Sequence, residues 1–206
     1  MSGRSPVTVL VQGGIACGKS TVTRLLCERG ATHVDCDRIA HEVLETAPVR
    51  ALVAEHFGAE CVTPESVDRS ALAARVFADE ASLQLLESWI HPQVRDQVQR
   101  ALREAEVPAD EPRSVLIVDA AVAEKMKLLT EAYDLRVFVR ADLETRRARA
   151  RKRGWEEGEL ERREARQDSL VDREARADYV IPNQGSLEEA TQHVERFWTE
   201  IVQPRR

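Results

Sequence analysis

Long apolar runs are missing from this chain. No stretch of its 206 residues approaches the roughly eighteen consecutive apolar side chains that a membrane-spanning helix needs. Only Met1-Ser2-Gly3-Arg4-Ser5-Pro6 precedes the first apolar run, too little for a signal peptide. A cytoplasmic chain with no membrane partner is therefore expected. An excess of positive charge is missing as well: the formal net charge is −6, which argues against wholesale nucleic-acid binding, although basic residues concentrate between Arg136 and Arg176. Cysteines at positions 17, 27, 36 and 61 have neither C-x-x-C spacing nor paired histidines nearby, which points away from a zinc site or a disulfide framework and toward reduced thiols. Internal repeats and low-complexity linkers are absent too.

What is present is enough apolar content, 43%, for one substantial core carrying an insertion or two. Val7-Thr8-Val9-Leu10-Val11 is a β-rich run leading into glycines, and helical spacing follows from Thr21 to Glu28. Further apolar runs at Thr32–Asp35, Val115–Val118, Leu135–Val139 and Tyr179–Ile181 predict four more strands. Strands apolar throughout and separated by helical stretches indicate a parallel sheet covered on both faces. Between the second and third strands, from Ile39 to Val107, Leu72, Val76, Leu83, Leu86, Ile90, Val94, Val98 and Leu102 recur with helical period, predicting a helical insertion. The arginine-rich stretch Leu143 to Arg176 has few large apolar residues and reads as a mobile flap.

The spacing Gly13-Gly14-Ile15-Ala16-Cys17-Gly18-Lys19-Ser20 is that of a phosphate-binding loop. Glycines let backbone N–H groups curl around phosphate oxygens, and the helix that follows aims its positive end at the same point. Such a pattern arises by chance in about one chain of this length in a hundred. Lys19 would reach the β- and γ-phosphates of ATP, and Ser20 would offer its hydroxyl to Mg2+. Cys17 sits at a free position of the loop and reads as filler ahead of a redox-sensitive thiol. The guanine-reading Asn-Lys-x-Asp motif of GTPases is absent, as is the signature of transport or motor ATPases, which leaves small-molecule kinases.

On the acceptor side, Asp35-Cys36-Asp37 follows the second strand, where the crevice of a doubly wound sheet lies. One carboxylate could accept the proton of an attacking hydroxyl. The competing role is a cap on a helix starting at Arg38, which suits Asp37 and makes Asp35 the preferred base. Asp119 ends the third strand and reads either as a Walker-B-type acid linked to magnesium or as a turn aspartate. The run from Arg146 to Arg153 reads either as a solvated helix face, of which Glu159 and Arg163 are the expected i,i+4 pair, or as a source of one or two arginines that a closing lid brings to the transferring phosphoryl group. His91 precedes Pro92 and reads as the shaper of a helix entry or as an acceptor contact; Arg38 and His41 read as acceptor contacts or as solvated surface.

The chain resembles the dephospho-coenzyme A kinase family. The resemblance runs through Gly13 to Val22, Asp35-Cys36-Asp37-Arg38-Ile39-Ala40-His41-Glu42-Val43, Phe57-Gly58, Asp68 to Leu72, Ile90-His91-Pro92-Gln93-Val94, Arg163 to Gln167, and Ala177 to Ser186. It implies transfer of the ATP γ-phosphate to the ribose 3′-hydroxyl of dephospho-coenzyme A, the last step of coenzyme A synthesis, by a monomer or small homo-oligomer with ATP and Mg2+. It implies a P-loop NTPase-type α/β fold: a five-stranded parallel core over residues 7–38, 112–142 and 177–206, a helical acceptor-binding insertion over 39–108 and a helical lid over 143–176. By position, Asp35 is the base and Lys19, Arg149 and Arg153 complete the catalytic set. ATP is held by Gly13, Gly14, Ile15, Ala16, Cys17, Gly18, Lys19, Ser20, Thr21, Asn183 and Gly185. Asp37, Arg38, His41, His91 and Glu124 face the acceptor, and Ser20 with Asp119 faces the metal. The resemblance departs at Asp119 to Glu124, where the family's proline and bulky apolar residues are gone although Glu124 aligns.

Overall fold

The computed structural model of the chain describes residues 4–76, 78–119, 133–165 and 169–206. Strand β1 (Val7–Gly13) is buried along its whole length and runs into α1 (Lys19–Cys27). Then come β2 (Thr32–Asp35), α2 (Cys36–Leu44), α3 (Ala47–Phe57), α4 (Arg69–Val76), α5 (Glu80–Glu104) and β3 (Val115–Asp119). The remainder is β4 (Leu135–Arg140), α6 (Leu143–Lys152), α7 (Glu159–Glu164), α8 (Leu170–Ala175), β5 (Tyr179–Pro182) and α9 (Leu187–Phe197), closed by a π-helical turn, Trp198–Val202.

The five strands form one parallel sheet in the order β2-β3-β1-β4-β5, as the apolar runs predict. Strands covered on both faces have no solvated side on which to place polar residues, and Val9, Val11, Val115, Ile117, Leu135, Val137, Val139 and Ile181 are all buried together. Trp198, Val202 and Phe197 cover that cluster, Phe197 with its ring 4.9 Å from that of Tyr179. The chain moves from β1 to one side of the sheet and returns to the other through β4, so the carboxyl ends of β1 and β3 flank the switch point where ligands of such sheets bind. Strand β1 extends two residues beyond its apolar run, because Gln12 and Gly13 still pair with Phe138 and Val139. Thus the first loop glycine is also the last strand residue.

By internal packing the described residues separate into two units, one of residues 4–34, 101–119, 133–165 and 169–206, the other of residues 35–76 and 78–100. The second unit is helical. Val49, Val53 and Phe57 recur every four residues along the buried side of α3, as do Leu72 and Val76 on α4 and Val94 and Val98 on α5. The rings of His56 and Phe57 meet Trp89 at 5.2 and 5.7 Å.

Two expectations of local structure are corrected here. Pro92 lies inside the 25-residue α5, not at a helix entry. A proline there removes one N–H and crowds the carbonyl four residues back; beside it, the Gln93 side chain donates to the Trp89 carbonyl at 3.0 Å. The burial of Leu86, Val94 and Val98 on one helix outweighs the local cost. Second, α2 begins at Cys36 and its cap is Asp35, whose Oδ1 accepts the Arg38 N–H at 2.9 Å. Asp37 is a first-turn residue, exposed, where its charge favours the helix end. The cap is therefore Asp35, the carboxylate expected to be the base, and not Asp37.

Other helices carry caps of the same kind: Asp142 for α6, Ser169 for α8, and a reciprocal Ser186–Glu189 box for α9. Helix α1 does not. Its N-cap is Gly18, held at φ 91°, with no side-chain cap and no acid in the first turn.

Candidate active site

The loop between β1 and α1 is shaped by what its glycines lack. A Cβ on Gly13 would stand 2.6 Å from Cys17 Sγ and 2.7 Å from the Val139 carbonyl oxygen, closer than real Cβ atoms come, so the strand can turn into the loop only without a side chain. Gly18 takes a left-handed φ to start α1. Ala16 does the same at φ 61° with a side chain present, a conformation that costs energy and gathers at functional loops. Lys19 and Ser20 thereby become the first helical residues, at the positive end of the α1 dipole.

Lys19 turns toward the end of β3. Its Nζ lies 3.8 Å from Asp119 Oδ1, with side chains 23% and 17% exposed, and the register that sets Val11 opposite Asp119 accounts for the proximity. The thiol of Cys17 reports on the same space: burial pushes it above the usual thiol range, opposed by the charges of Lys19 and Arg146. A buried, protonated thiol is a poor nucleophile, and Cys36 and Cys61 are buried as well, leaving Cys27 partly exposed. A thiol titration of the native protein is expected to count one accessible cysteine, and four after denaturation; rapid labelling of Cys17 in the native state would contradict the burial.

Three side chains from outside the loop hold it. Arg149 Nη1 donates to the Cys17 carbonyl at 2.8 Å and its Nη2 to the Asn183 carbonyl at 2.7 Å. Asn183 is buried, and its Nδ2 donates to the same Cys17 carbonyl at 2.8 Å. On the other side of the loop, Glu164 Oε1 accepts the Ile15 N–H at 3.2 Å and pairs with Arg146 Nη1. Arg146 and Glu164 are absent from the sequence-derived set. For Arg146 the only advance signal is spacing, since Arg146 and Arg149 stand at i and i+3 and share one face of α6; Glu164 has none.

Arg149 and Arg153 line one cleft of about 370 Å³ together with Gly18, Ser20, Thr21 and Asn183, and Gly185 also borders it. Their situations differ. Arg153 is exposed at the C-cap of α6, whereas Arg149 is tied to loop carbonyls. Arg149→Ala should therefore lower stability by about 2 kcal/mol, the scale of a charge-assisted hydrogen bond, as well as turnover. Arg153→Ala should lower turnover with an unchanged melting temperature. Paired thermal melts and kinetics check this; identical profiles for the two variants would count against it.

The residues assigned to the acceptor lie in the other unit. Asp35, Asp37, Arg38 and His41 follow one another along the start of α2. Arg38 pairs with Glu42 on the exposed face, and His41 is exposed. His91 is half-buried in α5, and burial, reinforced by Arg95 and opposed by Glu87, holds its imidazole below its ordinary range and so neutral at pH 7. Glu124 and Gln167 lie outside the described residues. Among the described residues no helix is long and apolar enough to cross a membrane.

Comparison with known proteins bears on this geometry. A family model described as dephospho-CoA kinase matches residues 7–189. A dephospho-CoA kinase of Leifsonia xyli subsp. xyli is 39% identical over 194 residues, 90% of this chain and 94% of that protein. One from Streptomyces avermitilis is 39% identical over 198 residues, 92% and 91% of the two chains. A crystal structure from Thermus thermophilus superposes with a TM-score of 0.80 at 29% identity, covering 96% of this chain and 99% of that one.

Proposed function

The chain belongs to the dephospho-CoA kinase family, and we propose that within its reaction the Gly13–Ser20 loop and Lys19 hold the donor phosphates while Asp35 takes the proton of the attacking hydroxyl. The enzyme phosphorylates dephospho-CoA in coenzyme A biosynthesis. The observation that carries the donor half is the cationic loop itself: backbone N–H groups, Lys19 at the head of α1, and Arg146 and Arg149 against its two sides. Charge that develops on the transferring phosphoryl group meets donors already in place, which is the main way such reactions are accelerated.

In the proposed step the ribose 3′-oxygen of the acceptor forms a bond to the γ-phosphorus, and the bond from that phosphorus to the β,γ-bridging oxygen breaks. ADP leaves with the electron pair, and the hydroxyl proton passes to the Asp35 carboxylate. The cap on α2 uses Asp35 Oδ1, so Oδ2 is the oxygen assigned to the proton. Ser20 and Asp119 are hard oxygen donors at the switch point of the sheet, a set that suits Mg2+, which keeps several waters and takes one or two protein ligands beside substrate phosphates. When bound, Mg2+ would neutralise charge on the β- and γ-phosphates; Lys19 orients those phosphates, and Arg149 ties the Cys17 carbonyl of the loop to that of Asn183. Arg38, His41, Asp37 and His91 are assigned to the acceptor. The assigned place of action is the cytoplasm.

The test is product chemistry. With ATP, Mg2+ and dephospho-CoA, the purified chain should form coenzyme A and ADP in equal amounts, and nucleosides or shikimate should not replace the acceptor. ADP without coenzyme A would overturn the assignment.

A further inference from the structure

Glu164 plays no part in the transfer just described, yet its carboxylate sits against the phosphate-binding loop. Oε1 accepts the Ile15 N–H at 3.2 Å and pairs with Arg146. The two side chains are only 16% and 7% exposed. The point where a Cβ on Gly14 would stand lies 3.0 Å from Glu164 Oε1, 2.9 Å from Arg146 Nη1 and 3.2 Å from Leu170 Cδ1. The pair therefore rests directly on the loop backbone. A loop of this spacing presents N–H groups to anionic oxygens, and a carboxylate on one of those N–H groups, neutralised by a buried arginine, has the chemistry of the ligand.

Two further observations sharpen this. Arg146 Nε is buried and has no hydrogen-bond partner among the described residues, so Glu164 does not exhaust the donors of that guanidinium. Glu164 is also the last residue of the six-residue α7, eighteen positions from Arg146, so it approaches the loop from a separate short element. Arg147 with Glu161 and Arg163 with Glu159 tie the same helix at its exposed surface, where ion pairs hold weakly.

We propose that Glu164 is a resident anion of the phosphate loop, occupying the Ile15 N–H and neutralising Arg146 until a nucleotide polyphosphate displaces it, and that Arg146 then passes from carboxylate to phosphate. This rests on the loop being the donor-phosphate site. The observed affinity for ATP is then the intrinsic affinity reduced by the work of displacing an internal competitor.

Glu164→Gln keeps the size of the side chain and an oxygen for Ile15 but removes the charge. By calorimetric titration it should bind ATP and inorganic tripolyphosphate about 3- to 10-fold more tightly than the parent, because a neutral acceptor competes less well than a charged one. Adenosine, which has no phosphate, should bind both proteins equally. Lys19→Ala separates the phosphate site from the resident anion. If tripolyphosphate binding is indifferent to Lys19→Ala, the loop is not the phosphate site and the donor half of the proposed function fails with it. If Lys19→Ala weakens tripolyphosphate about tenfold or more while Glu164→Gln leaves it unchanged or weaker, the loop reading stands and the resident anion falls. Should Glu164→Gln fail to fold, the parent protein decides: tripolyphosphate must shift the Glu164 carboxyl carbon resonance together with the Ile15 amide, and an Ile15 shift without a Glu164 shift sinks the proposal.

Discussion

Lys19→Met should lower kcat/KM by about 10²- to 10³-fold, the usual cost of removing one preorganised group from a developing anion, while the protein melts within a degree or two of the parent. The asymmetry follows from geometry. Methionine preserves the unbranched stem at the head of α1, and the ammonium's ion pair with Asp119, at 3.8 Å, is too long for a good hydrogen bond. A pair held at that distance with both side chains still reached by water contributes little to folding. In the proposed reaction the same ammonium meets a polyphosphate, where its charge is fully used. Initial rates at varied ATP, together with a thermal melt, measure both sides. A variant that keeps its turnover would remove Lys19 from the mechanism, and one that loses its fold would make it a structural residue.

Asp35 demands a different design, because one carboxylate is assigned two tasks. As cap of α2 it accepts the Arg38 N–H; as base it must accept a proton. Asparagine caps about as well as aspartate but cannot take the proton. Asp35→Asn should therefore lower kcat by about 10²- to 10⁴-fold with stability preserved. Asp35→Ala should lose the same turnover and, in addition, about 1 kcal/mol of stability. Only the pair of variants separates cap from base. If asparagine turns over within a few-fold of the parent, the base lies elsewhere, and Asp37 on the first turn is the next residue to replace.

The parts of the fold readable from sequence are those that burial makes monotonous. A parallel strand has no solvated face, so Val115 to Val118 and Leu135 to Val139 announce themselves, and the loop glycines do so through spacing that geometry forces. What escapes is decided by partners far along the chain. Helix α6 reads as a charge-rich stretch from Glu144 to Lys152, in which nothing marks Arg146 as buried and paired while Arg147 stays exposed; the partner that buries it is Glu164, eighteen residues on. Pro92 escapes for the opposite reason. Its local rule is strong, but three buried contacts on α5 override it. The Asp35 cap escapes because a helix boundary two residues early exchanges the roles of two neighbouring aspartates. The donor half of the candidate site was thus mostly legible, while its side walls were not.

Helix α1, like α3 and α7 and unlike α2, α6, α8 and α9, has no side chain at its start to satisfy its first N–H groups. In the proposed reaction those groups are assigned to the phosphates of ATP. On that assignment the ligand supplies the cap that α1 lacks, and nucleotide binding should add to the stability of the turn that carries Lys19 and Ser20.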